Sequence, residues 1–147
     1  MDGAATWYGR VNEDGGFSIL ARVTALDATG TEVVPSEGPC LKQVDVASIT
    51  CRVYSLGANK DNASGTQITP APTLTPAANL FDTLRTSGWP TDKDSSGYNF
   101  RHDVAASFVP NQDEWTLLEY KLTLSAGLGS GVVWVRVKVK TRALQTS

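Results

Sequence analysis

Apolar and polar positions along this chain alternate with period two over several stretches, and no helical period runs long enough to specify a core helix. Phe17, Ile19, Ala21, Val23 and Ala25 alternate with Ser18, Leu20, Arg22, Thr24 and Leu26, which predicts a first strand opened by Gly15-Gly16 and closed by the turn Asp27-Ala28-Thr29-Gly30. A second strand is expected over Ala47 to Leu56, with Ile49, Cys51 and Val53 on one side and Thr50, Arg52 and Tyr54 on the other. Tyr98, Phe100, His102 and Val104 are expected to share one face of a third. Two final strands are the clearest. Leu118, Tyr120, Leu122 and Leu124 oppose Trp115, Leu117, Glu119, Lys121 and Thr123, and then Val133, Val135, Val137 and Val139 oppose Trp134, Arg136, Lys138 and Lys140. Alternation this strict means one buried and one wet face, as in antiparallel sheets.

The stretches between are punctuated by turn formers. Pro35 to Pro39 reads as an irregular connection, and Gly57 to Gly65 as a polar loop. Thr66 to Pro76 is extended, and Pro70, Pro72 and Pro76 cannot donate to a ladder, which puts it at a sheet edge or on the surface. Asn79 to Leu84 fits a short strand or a helical turn plugging one end of the core. Ser87 to Gly97 is a long polar loop around Trp89-Pro90, and Phe108 is expected inside a corner at Ala105 to Pro110. Six or seven such strands call for two sheets covering each other's apolar faces. The expected fold is all-β, an immunoglobulin-like antiparallel β-sandwich of about seven strands. Residues 1–16 form an N-terminal arm and 17–147 a single sandwich domain.

Composition agrees with a packed domain. The chain has 147 residues, of which 41% are hydrophobic and 19% charged, too few charges for a disordered segment. Met1 to Gly16 has no apolar run of leader length, and no stretch approaches a membrane helix, so a cytoplasmic folding site and no membrane partner are expected. Charge alters the picture more. Of 13 basic residues four, Arg136, Lys138, Lys140 and Arg142, fall in 131–147, where none of the 15 acids lies; residues 1–130 carry −6 and the remainder +4. These four bases project on one side at about 6.6 Å spacing. Such a strip blocks unwanted strand pairing, or it docks an acidic partner. Nucleic acid is disfavoured, because the chain is acidic overall and no aromatic stripe interleaves the bases.

Candidate chemistry is sparse. The single histidine, His102, is the only possible base of an acyl-transfer triad, and its mid-strand place favours a structural role. Asp92 with Asp94, and Asp113 with Glu114, are paired carboxylates by type only, both in hydrophilic segments. Cys40 and Cys51 belong to no C-x-x-C and lack further ligands, so no metal or cofactor is expected; two reduced thiols are favoured over a disulfide. No catalytic residue is assigned. The candidate contact residues are aromatic and basic: Trp7, Tyr8, Trp89, Trp134, Arg136, Lys138, Lys140 and Arg142. Trp7 and Trp89 read either as anchors or as lids on the core. Trp134 either stacks beneath Arg136 or meets a partner.

Several blocks carry a resemblance: Glu13-Asp14-Gly15-Gly16-Phe17, Ala21-Arg22-Val23, Phe81-Asp82-Thr83-Leu84, Ser96 to Val104, Phe108-Val109-Pro110 and Leu118-Glu119-Tyr120-Lys121. Over roughly residues 8–140 the chain resembles small immunoglobulin-like virion accessory proteins encoded by tailed bacteriophages and prophages. The Gly-Tyr-Asn-Phe-Arg-His run at 97–102 is the most specific part. The resemblance implies a structural protein of the virion, assembled in the host cytoplasm. It would be a capsid decoration or head–tail accessory protein bound in many copies, or as a homo-oligomer, to other virion proteins. A tail or baseplate module is the alternative. A carbohydrate-binding sandwich using Trp89, Asp92 and Asp94 is a further one.

Overall fold

The computed structural model describes residues 3–11, 17–26, 32–33, 41–105, 114–125 and 131–140, and of these the backbone alone for 3–11, 25–26 and 32–33. Cys40, Phe108, Asp113 and Arg142, and the turns expected at 27–30 and 35–39, lie outside the described residues.

Ten strands form two antiparallel sheets among the described residues: β1 (Gly3–Val11), β2 (Phe17–Leu26), β3 (Glu32–Val33), β4 (Val46–Gly57), β5 (Thr66–Ile68), β6 (Thr73–Leu74), β7 (Leu80–Arg85), β8 (Tyr98–Val104), β9 (Trp115–Leu124) and β10 (Val132–Lys140). The first sheet runs β1-β2-β8-β7, with β3 on β2. The second runs β10-β9-β4-β5, with β6 also on β4. Their apolar faces meet in one core. Ile19, Ala21, Val23, Leu80, Phe100 and Val104 come from the first sheet. Ile49, Cys51, Val53, Leu118, Tyr120, Leu122, Leu124, Val133, Val135 and Val137 come from the second. The protein is an all-β sandwich. Burial of each Val or Leu side chain contributes about 1.5–3 kcal/mol, which makes the parity of every strand costly to reverse.

The segment expected as an arm is largely a strand. β1 pairs with β2 over nine residues, from Gly3 opposite Ala25 to Val11 opposite Phe17, and so extends the first sheet at its edge. The proline-rich stretch does lie at a sheet edge, split into β5 and β6 on the flank of β4. Between β6 and β7 a single helical turn, α1 (Pro76–Asn79), is started by Thr75, whose hydroxyl accepts from the Ala78 amide at 3.2 Å. Of the two forms expected for Asn79 to Leu84, the strand is the one present: β7 begins at Leu80, only Asn79 belongs to the helical turn before it, and Leu80 is buried in the core.

Tyr98 does not share a face with Phe100, His102 and Val104. The ladder between β2 and β8 ends at Ala21 opposite Phe100. Beyond that point the Asn99 side chain takes the place of a paired backbone. Its Oδ1 accepts from the Val23 amide at 2.8 Å, and its Nδ2 donates to the carbonyls of Val23 at 3.2 Å and Leu41 at 2.7 Å. The pairing of β7 with β8 shifts register over the same stretch, between Leu80 and Arg85. Tyr98 is thereby carried to the outer side of the sheet, where it packs with Leu20 and Trp89. A period-two pattern holds only while the ladder is regular.

Candidate functional site

Outward positions on the three long strands of the second sheet form cross-strand rows. Thr50, Lys121 and Trp134 lie side by side on β4, β9 and β10, and so do Arg52, Glu119 and Arg136, and then Tyr54, Leu117 and Lys138. Trp115 and Lys140 are opposed at the end of β9 and β10. Trp134 is 39% exposed, one of two exposed large apolar side chains among the described residues. The Arg136 guanidinium carbon stands 4.4 Å from the centre of its ring, and Lys121 Nζ 5.7 Å, both within cation–π range. Arg136 Nε donates to Glu119 Oε2 at 2.9 Å, which fixes the guanidinium over the indole. Thr50, Arg52, Glu119, Lys121 and Trp134 enclose a shallow hollow of about 130 Å³.

The basic strip of β10 is only partly available as free charge. Arg136 is paired with Glu119, and Lys138 lies 3.7 Å from Asp61 in the loop after β4. Lys140 is exposed. Trp7 and Tyr8 fall at adjacent positions of β1, opposite Ala21 and Leu20, and their side chains are outside the described residues. Trp89 is 5% exposed and behaves as a lid rather than an exposed anchor. Its ring lies 5.7 Å from that of Tyr98, and Phe81 meets Tyr98 edge-on at 6.1 Å. Asp94, in the same loop, is bound to Arg22 at 2.6 Å, and its carboxyl is held below the usual range by the Ser96 amide and that guanidinium. Trp89 thus offers no open ring to a sugar, and Asp94 is already engaged.

His102 is buried, and its Nδ1 lies 2.6 Å from the Tyr120 hydroxyl, joining the two sheets inside the core. Burial pushes the imidazole down to about 4, so the ring is neutral at pH 7, and burial also raises the Tyr120 phenol well above its usual value. Its neighbours Arg101 and Asp103 point outward and pair at 2.9 Å, with the Ser18 hydroxyl donating to Asp103 at 2.5 Å. Cys51 is a free, buried thiol, pushed up to about 12 by its apolar surroundings, which makes it a poor nucleophile. Among the described residues no three His, Cys, Asp or Glu side chains converge as a metal site. No helix among them is long and apolar enough to cross a membrane.

Sequence reasoning placed Trp134 and its three basic neighbours on one outward face but missed Thr50, Arg52, Glu119 and Lys121 as parts of the same site. Each was legible as outward on its own strand. Their meeting depends on the lateral order β4-β9-β10, which no local pattern encodes. No protein-family model, curated protein or solved structure matches this chain.

Proposed function

We propose that this chain is an immunoglobulin-like accessory domain of a tailed-phage particle, a capsid decoration or head–tail protein that attaches to a repeated protein surface through the outer face of its second sheet. The observation that carries the reading is Trp134, exposed on an uncovered sheet face between Arg136 and Lys121. Trp and Arg are the residues most enriched where protein interfaces concentrate their energy. Tyr54, Leu117 and Trp115, all half-buried on the same face, add apolar area around them. The resemblance over residues 8–140 supplies the particle, and the two-sheet fold is compatible with it.

The role is adhesive rather than catalytic. The chain's one imidazole faces Tyr120 within the core and not a cleft. A face of this size binds weakly once and strongly when repeated on a lattice. Co-sedimentation of the purified chain with heads and, separately, with tails of the encoding phage tests the reading. The protein is expected to pellet with heads, and Trp134→Ala to weaken this. Pelleting with tails alone would move the attachment site to the tail, and protein left wholly in the supernatant with both would defeat the proposal.

A further inference from the structure

Arg136 has Glu119 and Lys138 has Asp61, but Arg52 and Lys121 form no ion pair among the described residues. Both line the hollow beside Trp134, together with Thr50 and with Glu119, whose carboxylate is engaged by Arg136. At about 130 Å³ it is close to the ~150 Å³ that admits one benzene-sized group, so it fits a single side chain and not an extended polymer. An arginine fork, an ammonium and a hydroxyl share this small space with one carboxylate, Glu119, which is already bonded to Arg136, so a second carboxylate from outside is the acceptor with matching charge and geometry for Arg52 and Lys121. The indole wall suits the methylene stem that such a side chain carries.

The geometry points to a carboxylate-binding hollow formed by Thr50, Arg52, Lys121 and Trp134 that receives one Asp or Glu side chain of a protein partner. The inference rests on the docking face proposed above and names the chemistry of what docks there. A polyanion is a poorer match. Phosphates tracking the bases of β10 would meet Glu119 beside Arg136 and Asp61 beside Lys138. A lone carboxylate entering the hollow stays clear of Asp61 and meets Glu119 with its charge already engaged by Arg136.

The test is an NMR titration of the isotopically labelled full chain with a blocked hexaglutamate peptide, with blocked hexaglutamine and hexathymidylate as comparisons. Hexaglutamate is expected to shift the Trp134 indole N–H and the amides of Thr50, Arg52 and Lys121. The shifts should vanish in about 1 M salt, where the screening length is about 3 Å. Arg52→Gln and Lys121→Met, which keep most of each stem, should each weaken binding by about tenfold with unchanged thermal midpoints. Silence at these residues, an equal response to hexaglutamine, or tighter binding of hexathymidylate would each overturn the inference. The double variant in the particle assay separates the two levels. If wild type and double variant pellet equally, the hollow is refuted and the docking face stands. If wild type does not pellet, the docking face falls and the titration still decides the hollow.

Discussion

The sandwich has two outer faces built on the same alternating principle, and they end in opposite states. On the first sheet the outward positions include Leu20 and Tyr98, which water would penalise, and the 86–97 loop folds over them with Trp89 as its plug. Polar bonds fasten that lid: the Tyr98 hydroxyl donates to the Ser87 carbonyl at 2.8 Å, and Arg22 holds Asp94 at 2.6 Å and the Gly97 carbonyl at 3.3 Å. On the second sheet most outward positions are polar or charged, Thr50, Arg52, Glu119, Lys121, Arg136 and Lys138, with Tyr54, Trp115 and Leu117 half-buried among them, and Trp134 is left in the open under Arg136. One tryptophan completes a small core at 5% exposure, and the other, at 39%, is held ready on a surface. Residue type alone does not separate them; what each one meets does, apolar Leu20 and Tyr98 for Trp89 and the cations of Arg136 and Lys121 for Trp134.

The sharpest way to break this comparison is to truncate both tryptophans. Trp89→Ala should cost about 3 kcal/mol in urea unfolding, because it empties a packed site beneath the lid. Trp134→Ala should cost only about 0.5 kcal/mol, the scale of an exposed cation–π contact. Equal losses would show the two faces to be energetically alike.

The joint between the sheets comes next. The neutral form of His102 is favoured in the folded chain, whose value of about 4 lies below the ordinary 6.5. Its contribution is therefore complete above about pH 6.5 and is lost as pH falls toward 4, by about 3 kcal/mol in all. His102→Gln should flatten stability over that window. A second loss should remain in the variant at lower pH. Asp94 and Asp103 are held below their ordinary value, by bonds from Ser96 and Arg22 in one case and, against the opposing effect of burial, from Ser18 and Arg101 in the other. Their contributions are present above that value and lost below it. An unchanged slope between pH 6.5 and 4 in the variant would remove His102 from the account.

A smaller effect is expected at the end of the lid. Gly97 has φ +101°, and a Cβ there would stand 2.5 Å from the Arg85 carbonyl oxygen. Gly97→Ala should cost about 2 kcal/mol. Gly57, with φ +69° and open space around it, should lose about 1 kcal/mol on the same change, from backbone strain alone. Thermal midpoints of the two variants rank them, and the reverse order would mean that the lid accommodates the methyl group. Smallest of all, Arg136→Ala should change stability by less than about 0.5 kcal/mol, since its ion pair with Glu119 lies on the exposed surface, while it removes the cation over Trp134. Intrinsic fluorescence of that variant should change though its unfolding midpoint does not.

Most of the β framework was legible along the chain. β8, β9 and β10 follow the expected alternation closely in extent, and the inward valines of β10 and leucines of β9 are the ones the pattern selects. The prolines of 70–76 correctly marked an edge, because a residue without an N–H cannot sit inside a ladder. The nine-residue β1 was missed. Gly3 to Val11 has weak alternation, and only a partner strand reveals that Gly9 and Ala5 lie in a ladder. Tyr98 was assigned to the wrong side because Asn99, a side chain, substitutes for backbone at the end of β8, which parity cannot foresee.

The sequence by itself determined which residues face inward where a strand keeps a regular ladder, as in β9 and β10, for that choice is made residue by residue through the period-two geometry of an extended chain and the free energy of burying Val, Leu and aromatic groups. Only the tertiary structure decided which outward residues become neighbours, and which outer face is covered. Arg52 and Trp134 are 82 positions apart in sequence and reach one hollow only because β9 lies between their strands. Trp89 is buried only because its loop finds Leu20 and Tyr98 beneath it. Strand order and loop placement are set by contacts between distant segments, and no local pattern carries that information.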